Sequence, residues 1–255
     1  MFRKEESTPD IVRLPDGAVP AIYFVDLDGT LLSTSSERYF LKHLVSTGIL
    51  SPVAFLRFLS FYPLHPVKTV REGKGWNRNY LPGITPQAVK REAAICAGIL
   101  LKNYLREWTF QSIRELKSRG CETVLISASL QYIVASIGED ISIDHVQASD
   151  PVTVNGSFSG QLKDLRPWGR NKAELMRRIC DQRGVQPADC AAAGDSWADR
   201  FIMRECGCAV AVCPDRKLRK LASSRNWRIV EGRHTKWAQR KKQGLLEHFQ
   251  AGWTV

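Results

Sequence analysis

At 255 residues, with 44% hydrophobic and 25% charged side chains, the chain can bury a sizeable core and fits one soluble domain plus an insertion. No stretch reaches the roughly 18 consecutive apolar residues of a membrane span, and seven cysteines without a Cys-x-x-Cys pair read as reduced, mostly buried thiols rather than a metal site. The formal charge of +11 is uneven, because from Pro214 onward eleven Lys and Arg face three Asp and Glu; such a surplus attracts phosphorylated molecules, anionic lipid or nucleic acid, and serves equally as a solvated face.

Residues 1–20 are a polar lead-in that ends in the turn signature Pro15-Asp16-Gly17. Its charged opening has no apolar run behind it, which predicts no secretory leader and a cytoplasmic protein. Ala21 to Val25 are then almost wholly apolar, as in a strand buried on both faces of a parallel sheet. Asp26-Leu27-Asp28-Gly29-Thr30 follows at the carboxyl end of that strand, where open α/β sheets place their ligand sites. Asp26 and Asp28 share a side of the chain while it stays extended. Gly29 permits a sharp exit, and the Thr30 hydroxyl can bond backbone or an anion.

From about Thr34 to Arg106 the pattern turns helical. Ser36 is placed to cap a helix through Val45, and Ser51-Pro52 opens another through Phe61. Pro63, Pro66, Gly73 and Gly75 interrupt, and Thr85-Pro86 starts a long helix. About seventy such residues exceed a single crossover helix and predict an inserted helical unit. Its segment Ile49 to Leu64 is very apolar, suited to packing within the insert or to a greasy lip that takes a lipid tail or touches a bilayer.

Alternation resumes with a helix from Glu107 to Arg119 and a strand Thr123 to Ser127, after which Ser127-Ala128-Ser129 opens the next helix. A strand near Asp144 to Ala148 leads to a hairpin turning at Asn155-Gly156. Arg170-Asn171-Lys172 begins a helix closed by Gly184, and Lys172 lies in its first turn, where the helix dipole disfavours a cation. A local rule broken this way is expected at functional sites. Cys190 to Ala193 then form a small-residue strand ending in Gly194-Asp195, with Asp199 one helical turn further on. Cys208 to Val212 supplies another strand, and a helix from Asp215 to Arg225 leads to Trp227 to Val230.

Asp-x-Asp-Gly-Thr after a hydrophobic strand resembles the first motif of the haloacid dehalogenase superfamily of phosphohydrolases. The resemblance extends in order through Ser127, Lys172 and Gly-Asp-x-x-x-Asp at 194–199, and covers residues 21 to 230. It implies a Rossmann-like α/β fold, a doubly wound parallel sheet with a helical cap inserted after the first strand, as in phosphatases resembling phosphoserine phosphatase. The implied organisation is a lead-in over 1–20, a catalytic core over 21–33 and 107–230, a cap over 34–106 and a basic extension over 231–255. It makes Asp26 the nucleophile and Asp28 the general acid/base. Thr30, Ser127 and Lys172 bind phosphate. Mg²⁺ is held by Asp26, the backbone carbonyl of Asp28 and Asp195, with Asp199 as ligand or just behind. Glu37, Arg38 and Arg57 are the candidates in the cap for selecting a substrate.

The chemistry asks for such a set. A phosphate dianion repels a carboxylate nucleophile until cations neutralise it, Mg²⁺ takes oxygen ligands, and one carboxylate must give and then take a proton. Serine phosphatases of this type show Ser-Gly-Gly where this chain has Ser127-Ala128-Ser129, and Asn where it has Ala198, so phosphoserine is not assigned. The expectation is a Mg²⁺-dependent phosphatase of a small phosphorylated substrate. The alternatives are a phosphatase of a lipid head group, touching anionic membrane through the basic tail and apolar cap, and a non-catalytic anion- or nucleic-acid-binding protein. The last is disfavoured because no nucleic-acid-binding motif is present and the acids stay unexplained.

Overall fold

The computed structural model describes residues 12–67, 78 and 80–231. Residues 1–11 and the basic extension after Glu231 lie outside the described residues. Six strands run parallel in one sheet: β1 (Ile22–Val25), β2 (Glu122–Leu130), β3 (His145–Ser149), β6 (Cys190–Gly194), β7 (Cys208–Val212) and β8 (Arg228–Val230). Their order is β3-β2-β1-β6-β7-β8, which puts β1 inside the sheet with Val25 opposite Leu125 on one side and Ala193 on the other. The chain winds one way from β1 to β3 and the other way from β6 to β8. The switch point therefore lies between β1 and β6, where open α/β sheets part to admit a ligand. β4 (Pro151–Val154) and β5 (Ser157–Leu162) form the expected separate hairpin, with Asn155 and Gly156 both at positive φ.

Strand alternation sends neighbouring side chains to opposite faces. Tyr23 and Val25 join one apolar layer, Ile22 and Phe24 the other. The second layer is covered by α6 (Arg170–Arg183), α7 (Arg200–Glu205) and α8 (Arg216–Ser224) through Met176, Met203 and Leu218. The first is covered by α4 (Glu107–Ser118) and α5 (Gln131–Asp140), and also by the inserted helices α1 (Ser36–Ser46) and α3 (Pro86–Tyr104), of which α3 lies along α5. The insert is thus fastened to the core by a shared apolar layer. Within the insert, Nε2 of His43 on α1 pairs with the buried Glu92 on α3 at 2.7 Å and holds the two helices together.

Local details depart from the sequence expectations in three places. Ser35, not Ser36, caps α1, accepting from the Arg38 N–H; this frees Ser36 to begin the helix. α2 (Pro52–Leu64) runs through Pro63 instead of ending at Phe61, because a proline in the last turn removes only one hydrogen bond and the His65 N–H still reaches the carbonyls of Phe61 and Tyr62. β2 continues past Ser127 to Leu130, and α5 starts only at Gln131. Its pairing with β3 shifts register between Ile126 and Leu130, an irregularity of the kind that re-aims side chains beside a site.

Candidate active site

Asp26 follows β1 and Asp195 follows β6, so adjacent parallel strands deliver both carboxylates to one rim of the sheet. Gly29 lets them close up. It sits at φ +93°, and a Cβ there would lie 2.1 Å from Oδ2 of Asp195. Gly194 does the same for Asp199, whose Cβ would be 2.5 Å from a side chain at that position. Asp199 ends the short turn after β6 and is held by Ser196, whose hydroxyl donates to Oδ2 at 2.7 Å and whose N–H donates at 3.0 Å. One oxygen from each of Asp26, Asp195 and Asp199 falls within 4.8 Å of the others. Lys172, from the first turn of α6, reaches into this group, with Nζ 2.6 Å from Oδ1 of Asp26 and 2.6 Å from Oδ1 of Asp199.

Charge is unbalanced here. Asp26, Asp199 and Lys172 are buried and Asp195 half-buried. Burial pushes the Asp26 carboxyl up to about 7 against the pull of Lys172, with Asp199 adding to the rise. Burial and then the charge of Asp26 push Asp195 up to about 8. Burial also acts upward on Asp199, but Lys172 and Ser196 outweigh it and leave this carboxyl below its usual range. Lys172 is raised in turn, burial being outweighed by Asp199 and Asp26. One ammonium thus satisfies two of three clustered carboxylates. An all-oxygen donor set with surplus negative charge fits a hard divalent cation such as Mg²⁺.

Asp28 points elsewhere. Its Oδ1 accepts the N–H of Ser36 at 2.9 Å, and its Oδ2 accepts the hydroxyls of Ser129 at 2.7 Å and Ser35 at 3.3 Å. It stands where two cavities meet. A cleft of about 190 Å³ holds Asp26, Lys172, Asp195, Asp199 and Ser127. A larger cavity of about 630 Å³ runs from Asp28, Ala128 and Ser129 up between α1 and α2.

A family model for haloacid dehalogenase-like hydrolases matches residues 23–204. The chain belongs to that family. Among curated relatives it is 29% identical over 222 residues to an inhibition of morphological differentiation protein of Streptomyces azureus, covering 82% of this chain and 77% of the other. It is 26% identical over 235 residues to phosphoserine phosphatase SerB1 of Mycobacterium tuberculosis, covering 89% and 76%. Its fold matches a Bordetella pertussis protein of unknown function with TM-score 0.71 at 18% identity, over 82% of this chain and 97% of that one. It also matches a phosphoserine phosphatase in apo form with TM-score 0.58 at 17% identity, over 88% and 100%. By family and fold this is an enzyme of the phosphoric monoester hydrolase kind, resembling the subgroup of phosphoserine phosphatases with a helical cap.

Within this hydrolase, Asp26, Lys172, Asp195 and Asp199 come together, and Ser127 lines the same cleft. Thr30, expected to bind phosphate, is different. It is fully buried, and its hydroxyl donates to Oδ2 of Asp26 at 3.3 Å and lies 3.5 Å from Oδ1 of Asp195. Bonds to both carboxylates make it a brace for them, out of a ligand's reach. Glu37 and Arg38 line the larger cavity. Arg57 belongs to α2, but its side chain lies outside the described residues.

Two participants escaped sequence reasoning. Ser129 holds Asp28, and its position two residues after Ser127 on a continuing strand puts both on one side. Arg78, with only 1% of its side chain exposed, pairs with Glu37 at 2.7 Å and donates to the Ala128 carbonyl at 2.8 Å. It thereby ties the insert to the end of β2. Its neighbours in sequence carry no periodic signal, so only the buried charge in the fold marks it.

Proposed function

We propose that this hydrolase is a Mg²⁺-dependent phosphatase that releases phosphate from a small phosphate monoester through an aspartyl-phosphate on Asp26. The carrying observation is the pairing of Asp26 with Lys172 beside two further carboxylates at the sheet's switch point. Asp26, Asp195, Asp199 and the backbone carbonyl of Asp28 would hold Mg²⁺, which when bound neutralises the phosphate and the crowded carboxylates.

Lys172 favours the ionised form of Asp26 against its burial and adds positive charge beside it. A carboxylate oxygen of Asp26 forms a bond to phosphorus while the bond from phosphorus to the ester oxygen breaks. Asp28, at the junction of the two cavities, gives its proton to the departing alcohol. It then takes one from water, whose oxygen attacks phosphorus and returns Asp26 with inorganic phosphate. The three donors around Asp28 fix which way its carboxyl faces through both steps. Ser127 supplies a hydroxyl to the cleft for the phosphate oxygens. The insert over 34–106 acts as the cap, with Glu37, Arg38 and Arg57 selecting the alcohol.

Asp26→Asn is the test. With Mg²⁺ and 4-nitrophenyl phosphate, the wild-type chain should release phosphate steadily and the variant should release essentially none. Undiminished turnover in the variant refutes the nucleophile.

A further inference from the structure

The larger cavity is not built like a pocket for a small polar alcohol. One wall is α2, which presents Phe55, Phe58, Leu59 and Tyr62. The ring of Phe58 sits edge-on to Tyr62 at 5.5 Å and to Tyr80 at 5.3 Å, which gives that wall a stiff aromatic backing. The facing wall, α1, contributes Leu41 between two cations, Arg38 and Lys42. These are exposed, lie one helical turn apart, and form no salt bridge among the described residues.

Two polar groups of the lining, Glu37 and Arg78, are turned on one another, and Arg166 stands in the lining beside them. The Glu37 carboxylate takes the Arg78 guanidinium at 2.7 Å and the Tyr80 hydroxyl at 3.0 Å, and Arg78 also reaches the Ala128 carbonyl. An ammonium or carboxylate brought in by a substrate has to compete with bonds already made in a buried place, which is costly. An apolar body meets no such competition. Its way out is apolar as well: Leu59, at the edge of the cavity, is 41% exposed, and Leu56 beside it on α2 is 65% exposed.

We propose that this cavity seats the apolar body of an amphiphilic alcohol, so that the favoured substrates are phosphate monoesters of long-chain alcohols. This rests on the phosphatase reading above. It adds a direction: the phosphate lies in the small cleft, the ester oxygen beside Asp28, and the chain along α2, with Arg38 and Lys42 at the open edge for any second anionic group. A cavity of about 630 Å³ is of the size that encloses most of a mid-sized ligand.

The experiment compares ethyl, butyl, hexyl, octyl and decyl phosphate, each below its critical micelle concentration, with Mg²⁺. kcat/KM should rise roughly three- to fourfold for each added methylene that finds a place along α2, with the rise carried mainly by KM. Leu59→Glu should flatten the series, lowering the decyl-to-ethyl ratio at least tenfold, whereas Leu64→Gln, exposed and outside the cavity, should leave the ratio as it is. A flat series in an enzyme that turns over ethyl phosphate overturns the proposal and leaves the phosphatase reading standing. If no ester is turned over, calorimetric titration with ethyl- and decylphosphonate still reads the cavity: equal affinities overturn the proposal, and tighter decylphosphonate binding that Leu59→Glu abolishes supports it.

Discussion

Nζ of Lys172 lies 2.6 Å from Oδ1 of Asp26, with Asp199 held equally close on its other side. The lysine sits where the helix dipole repels it, and burial alone would lower its pKa; two carboxylates reverse that. Lys172→Met should therefore leave Asp26 short of its counter-charge and lower kcat by roughly 10²- to 10³-fold, the scale for losing one preorganised electrostatic group. Without Mg²⁺ the variant should also melt at a lower temperature, because removing one partner of a buried pair leaves bare charge. Steady-state phosphate release and a melting curve check both halves. An unchanged kcat removes Lys172 from the chemistry.

Asp28 predicts a different kinetic signature. Asp28→Asn should cut turnover roughly 10²- to 10⁴-fold. With 4-nitrophenyl phosphate, whose leaving group needs little protonation, the loss should fall on the second step. Rapid mixing should then show a burst of nitrophenol near one equivalent, with labelled phosphate retained on the protein after an acid quench and released by alkali, as an acyl phosphate requires. Equal loss in both steps argues that Asp28 only shapes the cleft.

Much of this site was legible from order along the chain. Asp26, Asp195 and Lys172 each break a local habit, a charge at the end of a buried strand or a cation in a first helical turn, and Asp199 stands one turn after Asp195; such features are visible without coordinates. The sheet was legible because Ile22 to Val25 and Cys190 to Ala193 lack polar interruption, as strands covered on both faces must. What escaped depends on pairings across distance. Thr30 carries the same hydroxyl whether it faces a phosphate or two carboxylates, and only the approach of Asp195 decides. Ser129 carries no signal of its own when Ser127-Ala128-Ser129 is taken to open a helix, whereas the strand continues to Leu130. Arg78 becomes meaningful only once Glu37 and the Ala128 carbonyl stand opposite it.

Gly29 offers a test of packing against chemistry. At φ +93° any side chain is strained, by about 1–2 kcal/mol. Gly83 has φ +88° and nothing within 4 Å of a Cβ. Gly83→Ala should therefore show the strain alone, as a modest loss of melting temperature with normal Mg²⁺ dependence. Gly29→Ala must in addition push the Asp195 carboxylate aside, so its half-saturating Mg²⁺ concentration should rise roughly 10- to 100-fold, the usual consequence of disturbing a ligand's support. The same Mg²⁺ dependence in both variants contradicts the role given to Asp195.

Removing the metal should make stability depend on pH in a definite direction. Folding raises Asp26 to about 7 and Asp195 to about 8, well above the roughly 3.9 of an unfolded aspartate. Between those limits the folded chain holds protons that the unfolded chain has shed, so stability falls as pH rises through the window. Asp199, lowered, contributes stability above its unfolded value and loses it only on acidification; Lys172, raised, loses its contribution only above the ordinary lysine range. Neither titrates between pH 5.5 and 8.5. The EDTA-treated protein should therefore melt at progressively lower temperature across that interval. Mg²⁺, whose ligands must be deprotonated, should restore more stability at pH 8.5 than at pH 5.5. Asp195→Asn, which removes the higher of the two raised groups, should flatten both trends. A metal-induced rise in melting temperature that is the same at both pH values contradicts the clustering of these carboxylates around one cation.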